Sequence, residues 1–119
     1  DKKLEIAQSL GINRNKIILD PGIGFGKTME DNDIILNNLN KLKKFDQPIL
    51  IGLSRKSFLS VNEDGPESRL PATLGATVLA IQKGVDILRV HDIEATYKLK
   101  TVLQRINNLK PDNREFLYN

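Results

Sequence analysis

The chain reads as an α/β protein with a parallel sheet, and three observations predict this. Amphipathic stretches alternate with short apolar runs in the order helix, strand, helix, strand, helix, strand, helix, the pattern of right-handed βα units. The runs around Ile17-Ile18-Leu19, Ile49–Leu53 and Val85–Val90 are short and almost wholly apolar, which suits strands covered on both faces. Each run exits into reactive side chains: Asp20, then Ser54-Arg55-Lys56, then Arg89 and His91. Parallel α/β folds place ligands at the carboxyl ends of strands, so three such exits in succession point to a binding site there.

In order along the chain, Lys2 to Leu10 has helical spacing, with Leu4, Ala7 and Leu10 on one face and Gly11 placed to cap the end. A strand follows at 16–19. Pro21-Gly22 then turns the chain, and Gly22, Gly24 and Gly26 alternate through a loop that lets backbone approach a ligand. Thr28 to Phe45 reads as one amphipathic helix with Ile35, Leu39, Leu42 and Phe45 on its apolar face, stopped by Pro48. Its acids (Glu30, Asp31, Asp33) come early and its lysines (Lys41, Lys43, Lys44) late, which complements the helix dipole.

The second strand, Ile49–Leu53, leads into Ser54-Arg55-Lys56-Ser57, with a short helical turn at Phe58-Leu59 and a polar loop over 60–69. Pro71 suits the start of a third helix, with Leu74, Val78 and Ile81 as its buried stripe and Gly84 as its end. The third strand, Val85–Val90, leads to His91-Asp92. Asp92 is placed to cap a fourth helix over 93–109, with Leu99, Val102, Leu103 and Ile106 as core face. Pro111 ends that helix, and 111–119 reads as a polar surface tail.

Composition narrows the function classes. A chain of 119 residues is one domain or part of one. The net charge of +3, with acids and bases interspersed, does not call for nucleic acid but suits an anionic small molecule. With no cysteine there is no disulfide framework and no thiolate metal site, which allows an intracellular setting. No apolar run approaches the roughly 20 residues of a membrane span. The opening Asp1-Lys2-Lys3-Leu4 falls within a helical pattern, which suggests a fragment.

The strand exits suggest a shared chemistry. Asp20 is an acceptor-only fork, matched to a heterocycle showing two adjacent N–H donors. Lys56 is a point charge that could meet a carbonyl or ring nitrogen, or could simply neutralise Asp20. Strand alternation puts Ile87, Arg89 and His91 on one face, and an Arg-x-His pair suits phosphate oxygens. The plainer alternatives are an ion pair for Arg89 and a structural histidine for His91. No nucleophile elbow or metal-ligand cluster is legible. The stretch Gly22–Thr28 ends in Gly-Lys-Thr but lacks the glycine spacing of a Walker loop.

Taken together, Asp20-Pro-Gly-Ile-Gly-Phe-Gly-Lys27, Gly52-Leu-Ser-Arg-Lys56-Ser57 and Arg89-Val-His-Asp92 resemble the three carboxyl-half motifs of the dihydropteroate synthases, in that family's order and spacing. The resemblance implies a (β/α)8 TIM barrel of which this chain is the carboxyl-terminal part, its last three βα units. Such a barrel takes about 250 residues, so residues 1–119 would be a partial pterin-binding domain. The implied reaction joins 6-hydroxymethyl-7,8-dihydropterin diphosphate to 4-aminobenzoate, giving 7,8-dihydropteroate and diphosphate in folate biosynthesis. It would pass through a cationic pterin species without an enzyme nucleophile.

By the same resemblance, Asp20 would accept the pterin N–H groups and Lys56 would bond the pterin's other polar edge. Arg89 would flank the pterin and, with His91, bind the diphosphate; Lys56, Arg89 and His91 would carry catalysis. Phe25, Arg55 and Ser57 would shape the 4-aminobenzoate pocket, where sulfonamides compete. Mg2+ would assist, held by an amino-terminal half that this chain lacks, and no metal ligand is expected in this chain. A cytoplasmic homodimer joined through the late helices is implied, with no nucleic-acid or membrane partner. Two alternatives share the barrel: a methyltetrahydrofolate-type pterin-binding methyltransferase, and a non-catalytic remnant serving as an interaction module.

Overall fold

A computed structural model describes residues 2–63 and 65–108; the expected tail at 111–119 and the last residue of the expected fourth helix lie outside them. Helix α1 (Lys2–Ser9) buries Leu4. It closes as the glycine predicts: Gly11 takes φ +82°, its N–H reaches the Gln8 carbonyl, and the Ile12 N–H reaches that of Ala7, both at 3.0 Å. Leu10 falls outside the expected face and is 74% exposed.

The first predicted strand shrinks to a single bridge. Arg14–Lys16 forms a 3-10 turn, and Leu19 alone pairs in parallel with Ile49. Two 2.8 Å bonds make that bridge, Leu19 N–H to the Pro48 carbonyl and Leu50 N–H to the Leu19 carbonyl. Ile18 is 52% exposed, so this segment is covered on one face, not both.

The single helix expected over 28–45 is two pieces. Helix α2 (Met29–Asn37) opens with a capping box. In it Asp31 N–H donates to the Thr28 hydroxyl at 3.1 Å, and Thr28 N–H to the Asp31 carboxylate at 2.9 Å. At Asn38 the backbone leaves helical geometry (φ −117°, ψ 14°), and Leu39–Phe45 continues as a 3-10 helix. Asn38 stabilises the break by donating its side-chain amide to the Ile34 carbonyl at 2.7 Å. The turn ends at Asp46 in the left-handed region, two residues before Pro48. Leu36 and Leu39 are the deeply buried members, while Ile35 and Leu42 pack at the margin.

Strand β1 (Leu50–Ile51) pairs in parallel with β2 (Ile87–Leu88), Leu50 opposite Ile87 and Ile51 opposite Leu88. Leu19 on its other side makes β1 the middle of the three segments, which are parallel as expected. The Asp86 carboxylate pins the register by accepting Ile49 N–H at 2.9 Å and the Lys43 ammonium at 3.1 Å. The Ile49 N–H bond is the main reason that the Asp86 carboxyl titrates below its usual range.

Helix α3 (Leu70–Gln82) starts with Pro71 in its first turn, as predicted, but buries a different face. Thr73, Thr77 and Ala80 are buried, and Leu74, Val78 and Ile81 are only half-buried. The threonines can face inward because their hydroxyls are satisfied by backbone: Thr77 donates to the Thr73 carbonyl at 2.7 Å, and Thr73 accepts Arg55 N–H at 3.2 Å. Helix α4 (Ile93–Asn107) buries Thr96, half-buries Leu99 and Leu103, and leaves Val102 and Ile106 45% and 55% exposed, contrary to the expected core face. Asp92 occupies the cap position, yet its side chain makes no capping bond. The core joins Ile23, Leu36, Leu39, Ile51, Leu53, Phe58 and Ala80. Among the described residues no helix is long and apolar enough to cross a membrane.

Candidate active site at the strand ends

The carboxyl ends of the three parallel segments lie side by side and carry the groups singled out from sequence. Asp20 follows Leu19. One of its oxygens accepts Gly22 N–H at 2.8 Å, a local turn that fixes the carboxylate, and the other faces Arg89 Nη1 at 3.5 Å. The acid partner of Arg89 is therefore Asp20, one of the plainer alternatives. With side chains 56% and 37% exposed at that distance, the pair is weak and easily opened by a ligand.

Two glycines give the long cations room. A Cβ on Gly52 would stand 2.6 Å from Arg89 Nη2 and 3.0 Å from Nε. The guanidinium thus lies close against the backbone at the end of β1. A Cβ on Gly24 would meet Lys56 Cδ at 3.0 Å, and Gly24 itself has φ +84°, a conformation that suits glycine.

Lys56 bridges the loop. Its ammonium donates to the Ile23 carbonyl and sits 4.7 Å from the centre of the Phe25 ring. Burial, and next the charge of Arg89, lower its pKa, while Asp20 acts in the opposite direction. Lys27 turns back on its own loop, donating to the Gly22 and Phe25 carbonyls at 2.8 and 3.2 Å. Phe25, Lys56 and Ser57 line a cavity of about 300 Å³ together with Met29 and Asn32. Phe25 is 68% exposed at its mouth.

His91 stands at the end of the third segment, bonded to Ser54 through both its backbone N–H (3.1 Å) and its ring Nδ1 (2.8 Å). Arg55 does not line the cavity with Phe25 and Ser57. It adopts φ +58° and turns to Asp92, with Nη2 and Nε donating at 2.7 and 3.1 Å to the two carboxylate oxygens. Arg69 also donates to the Arg55 carbonyl at 2.8 Å. The bonds from Arg55 are the largest cause of the Asp92 carboxyl's lowered pKa, and they explain why Asp92 does not cap α4.

One residue escaped the sequence reading. Asn32 is 2% exposed; it accepts Gly24 N–H at 2.8 Å and donates to the Thr28 carbonyl at 2.9 Å. It ties the glycine loop to the first turn of α2. Its one sequence signal is that it stands in helical phase with Leu36 and Leu39.

A carboxylate, an ammonium, a guanidinium and an imidazole gathered at parallel strand ends, beside a glycine loop, define an α/β protein with a site for a polar, anionic small molecule. The chain belongs to the pterin binding enzyme family, whose model matches residues 1–91 and so takes in all of these groups. Among curated relatives, dihydropteroate synthase of Clostridium beijerinckii is 46% identical over 92 residues, covering 76% of this chain and 34% of that protein. Dihydropteroate synthase of Escherichia coli is 36% identical over 108 residues, covering 90% of this chain and 38% of that protein. The chain thus spans little more than a third of the length of these relatives. Among solved structures, Xanthomonas albilineans dihydropteroate synthase in complex with 7,8-dihydropteroate superposes with a TM-score of 0.89 at 36% identity. That match covers 92% of this chain and 44% of the other. The same synthase also has a structure with 4-aminobenzoic acid.

Proposed function

We propose that this chain is the carboxyl-terminal part of a dihydropteroate synthase and supplies the last three βα units of its (β/α)8 barrel. The observation that carries the reading is the convergence of Asp20, Lys56, Arg89 and His91 at adjacent strand ends, with Gly24 and Gly52 leaving space for the two cations. The uncovered sides of the sheet support the partial barrel: Ile18 is 52% exposed on one side, and Ile87 and Tyr97 are 36% and 66% exposed on the other. Further strands and helices would cover them.

In the proposed mechanism, Asp20 keeps one oxygen on Gly22 N–H and turns the other from Arg89 to the pterin's N–H donors. Lys56 moves from the Ile23 carbonyl to the opposite polar edge of the ring. Arg89, released from Asp20, flanks the pterin and with His91 takes the diphosphate. The pterin methylene C–O bond breaks with its electron pair leaving on the diphosphate, giving a cationic pterin. The amine of 4-aminobenzoate then forms the C–N bond and loses a proton to solvent. Positioning and charge stabilisation suffice for these steps. Phe25 and Ser57 would shape the aminobenzoate pocket, with Ser57 near the carboxylate, and sulfonamides would compete there. Arg55 would act on that pocket from outside its lining, through the loop that its pairing with Asp92 anchors.

Among the described residues no group of three or more His, Cys, Asp or Glu side chains could hold a metal. On this reading an assisting Mg2+ would take its protein ligand from the amino-terminal half of the barrel. The reading also makes the protein a cytoplasmic homodimer joined through the late helices, to which exposed Val102 and Ile106 would give apolar surface. Calorimetric titration of the full-length protein with the pterin diphosphate tests the arrangement. Asp20→Ala should weaken binding by at least tenfold, and unchanged affinity would remove Asp20 from the pterin site.

A further inference from the structure

Ser54 is 7% exposed and lies behind the site, where its hydroxyl meets two groups of one residue, His91 N–H at 3.1 Å and His91 Nδ1 at 2.8 Å. A hydroxyl offers two lone pairs and a single hydrogen. The backbone N–H uses one lone pair. If Nδ1 carried a proton, it would use the other, and the hydroxyl hydrogen would have no acceptor, because among the described residues Ser54 has no other hydrogen-bond partner. A buried polar hydrogen without a partner is costly. If Nδ1 is instead the acceptor, the hydroxyl hydrogen, the backbone N–H and Nδ1 are all satisfied. Which ring nitrogen of a histidine carries the proton is set by the bond that the other makes.

We infer that Ser54 is a positioning residue for His91: its hydroxyl donates to Nδ1, which holds the neutral imidazole's proton on Nε2 and aims that N–H outward as a donor to an anionic oxygen. Among the described residues Nε2 has no partner, and the His91 ring is exposed. The inference deepens the function proposed above and rests on it for the identity of the anion, the diphosphate, but not for the tautomer. Ser54 touches no reacting atom. It acts by keeping one donor pointed beside Arg89, and no proton is transferred.

The test is nitrogen NMR of 15N-histidine-labelled protein at roughly pH 9, where an imidazole is neutral. In the full-length protein the signals of His91, the one histidine of residues 1–119, are identified by their loss in His91→Gln. The expected spectrum shows only the Nε2–H tautomer, with Nδ1 displaced as a hydrogen-bonded acceptor. Ser54→Ala should relax it to the averaged mixture of a free imidazole, and Ser54→Thr, which keeps the hydroxyl, should restore it. A wild-type spectrum with the proton on Nδ1, or already averaged, overturns the inference without reliance on any variant. In full-length enzyme Ser54→Ala should raise the KM for the pterin diphosphate about tenfold, leave that for 4-aminobenzoate unchanged, and be rescued by Ser54→Thr. Equal rises in both KM values would mean a merely structural role and would overturn it. An inactive wild-type enzyme would remove the functional reading, while the spectra still decide the tautomer.

Discussion

Replacing Gly52 by alanine separates the site from the fold more cleanly than removing a charge. The new methyl would stand 2.6 Å from Arg89 Nη2, 3.0 Å from Nε and 3.1 Å from Cζ, inside the contact distance of all three. Gly52 does not need a positive φ, so alanine brings no backbone strain. The clash is with the far end of a flexible side chain that is 56% exposed, and Arg89 can swing into solvent to relieve it. The folding cost is then little more than the loss of the weak contact with Asp20, about 0–1 kcal/mol for an exposed pair. The functional cost is larger, because the guanidinium leaves the place where it would meet the pterin diphosphate. A hydrogen bond to a charged group contributes about 1.5–3 kcal/mol, so kcat/KM should fall about 10- to 100-fold. Steady-state kinetics in the pterin diphosphate, paired with urea denaturation, reads both. The reasoning fails if catalysis is unchanged, or if the midpoint falls as far as a core cavity would take it.

Other variants probe the remaining parts of the site. Asn32→Ala leaves Gly24 N–H without its partner, while the backbone N–H of residue 32 still serves the Thr28 carbonyl, and should cost about 1–3 kcal/mol in urea denaturation; less than 1 kcal/mol would mean that water replaces the amide. Lys56→Ala removes the bond to the Ile23 carbonyl and the contact with Phe25. It should lower kcat/KM at least 100-fold with little change in melting temperature, and a fully active variant would exclude Lys56 from the site. Asp92 is an acid whose folded pKa is depressed, chiefly by Arg55. Its contribution to stability is complete above the unfolded value of about 3.9 and is lost as pH falls through the lower folded value. The wild-type stability advantage over Asp92→Asn should therefore be constant near neutrality and vanish on acidification below that value. An advantage independent of pH would contradict the ion-pair account.

What the sequence made legible depended on how local its cause was. Gly11 and Pro71 act through their own backbone geometry, and both stand where the spacing placed them. The strand exits were legible because a run of apolar residues and a terminal charge are local features. The helix expected over 28–45 broke because Asn38 can satisfy a carbonyl from its side chain, an option that apolar spacing does not reveal. The inward face of α3 was misread because the helix is apolar nearly all round. Only the backbone partners of Thr73 and Thr77, one of them 18 residues away, select the buried side. Arg55 and Asp92 lie 37 residues apart, so their pairing is a product of the fold. Asn32 passed as an ordinary polar residue because its role consists of bonds to the glycine loop and the first turn of α2.

The central claim is most directly tested by diphosphate release from the pterin diphosphate by the full-length protein with Mg2+, measured with and without 4-aminobenzoate. Release that requires 4-aminobenzoate, yields 7,8-dihydropteroate in equal amount and collapses in Lys56→Ala is the predicted result. A folded protein that binds the pterin yet releases no diphosphate under any of these conditions would contradict the synthase reading.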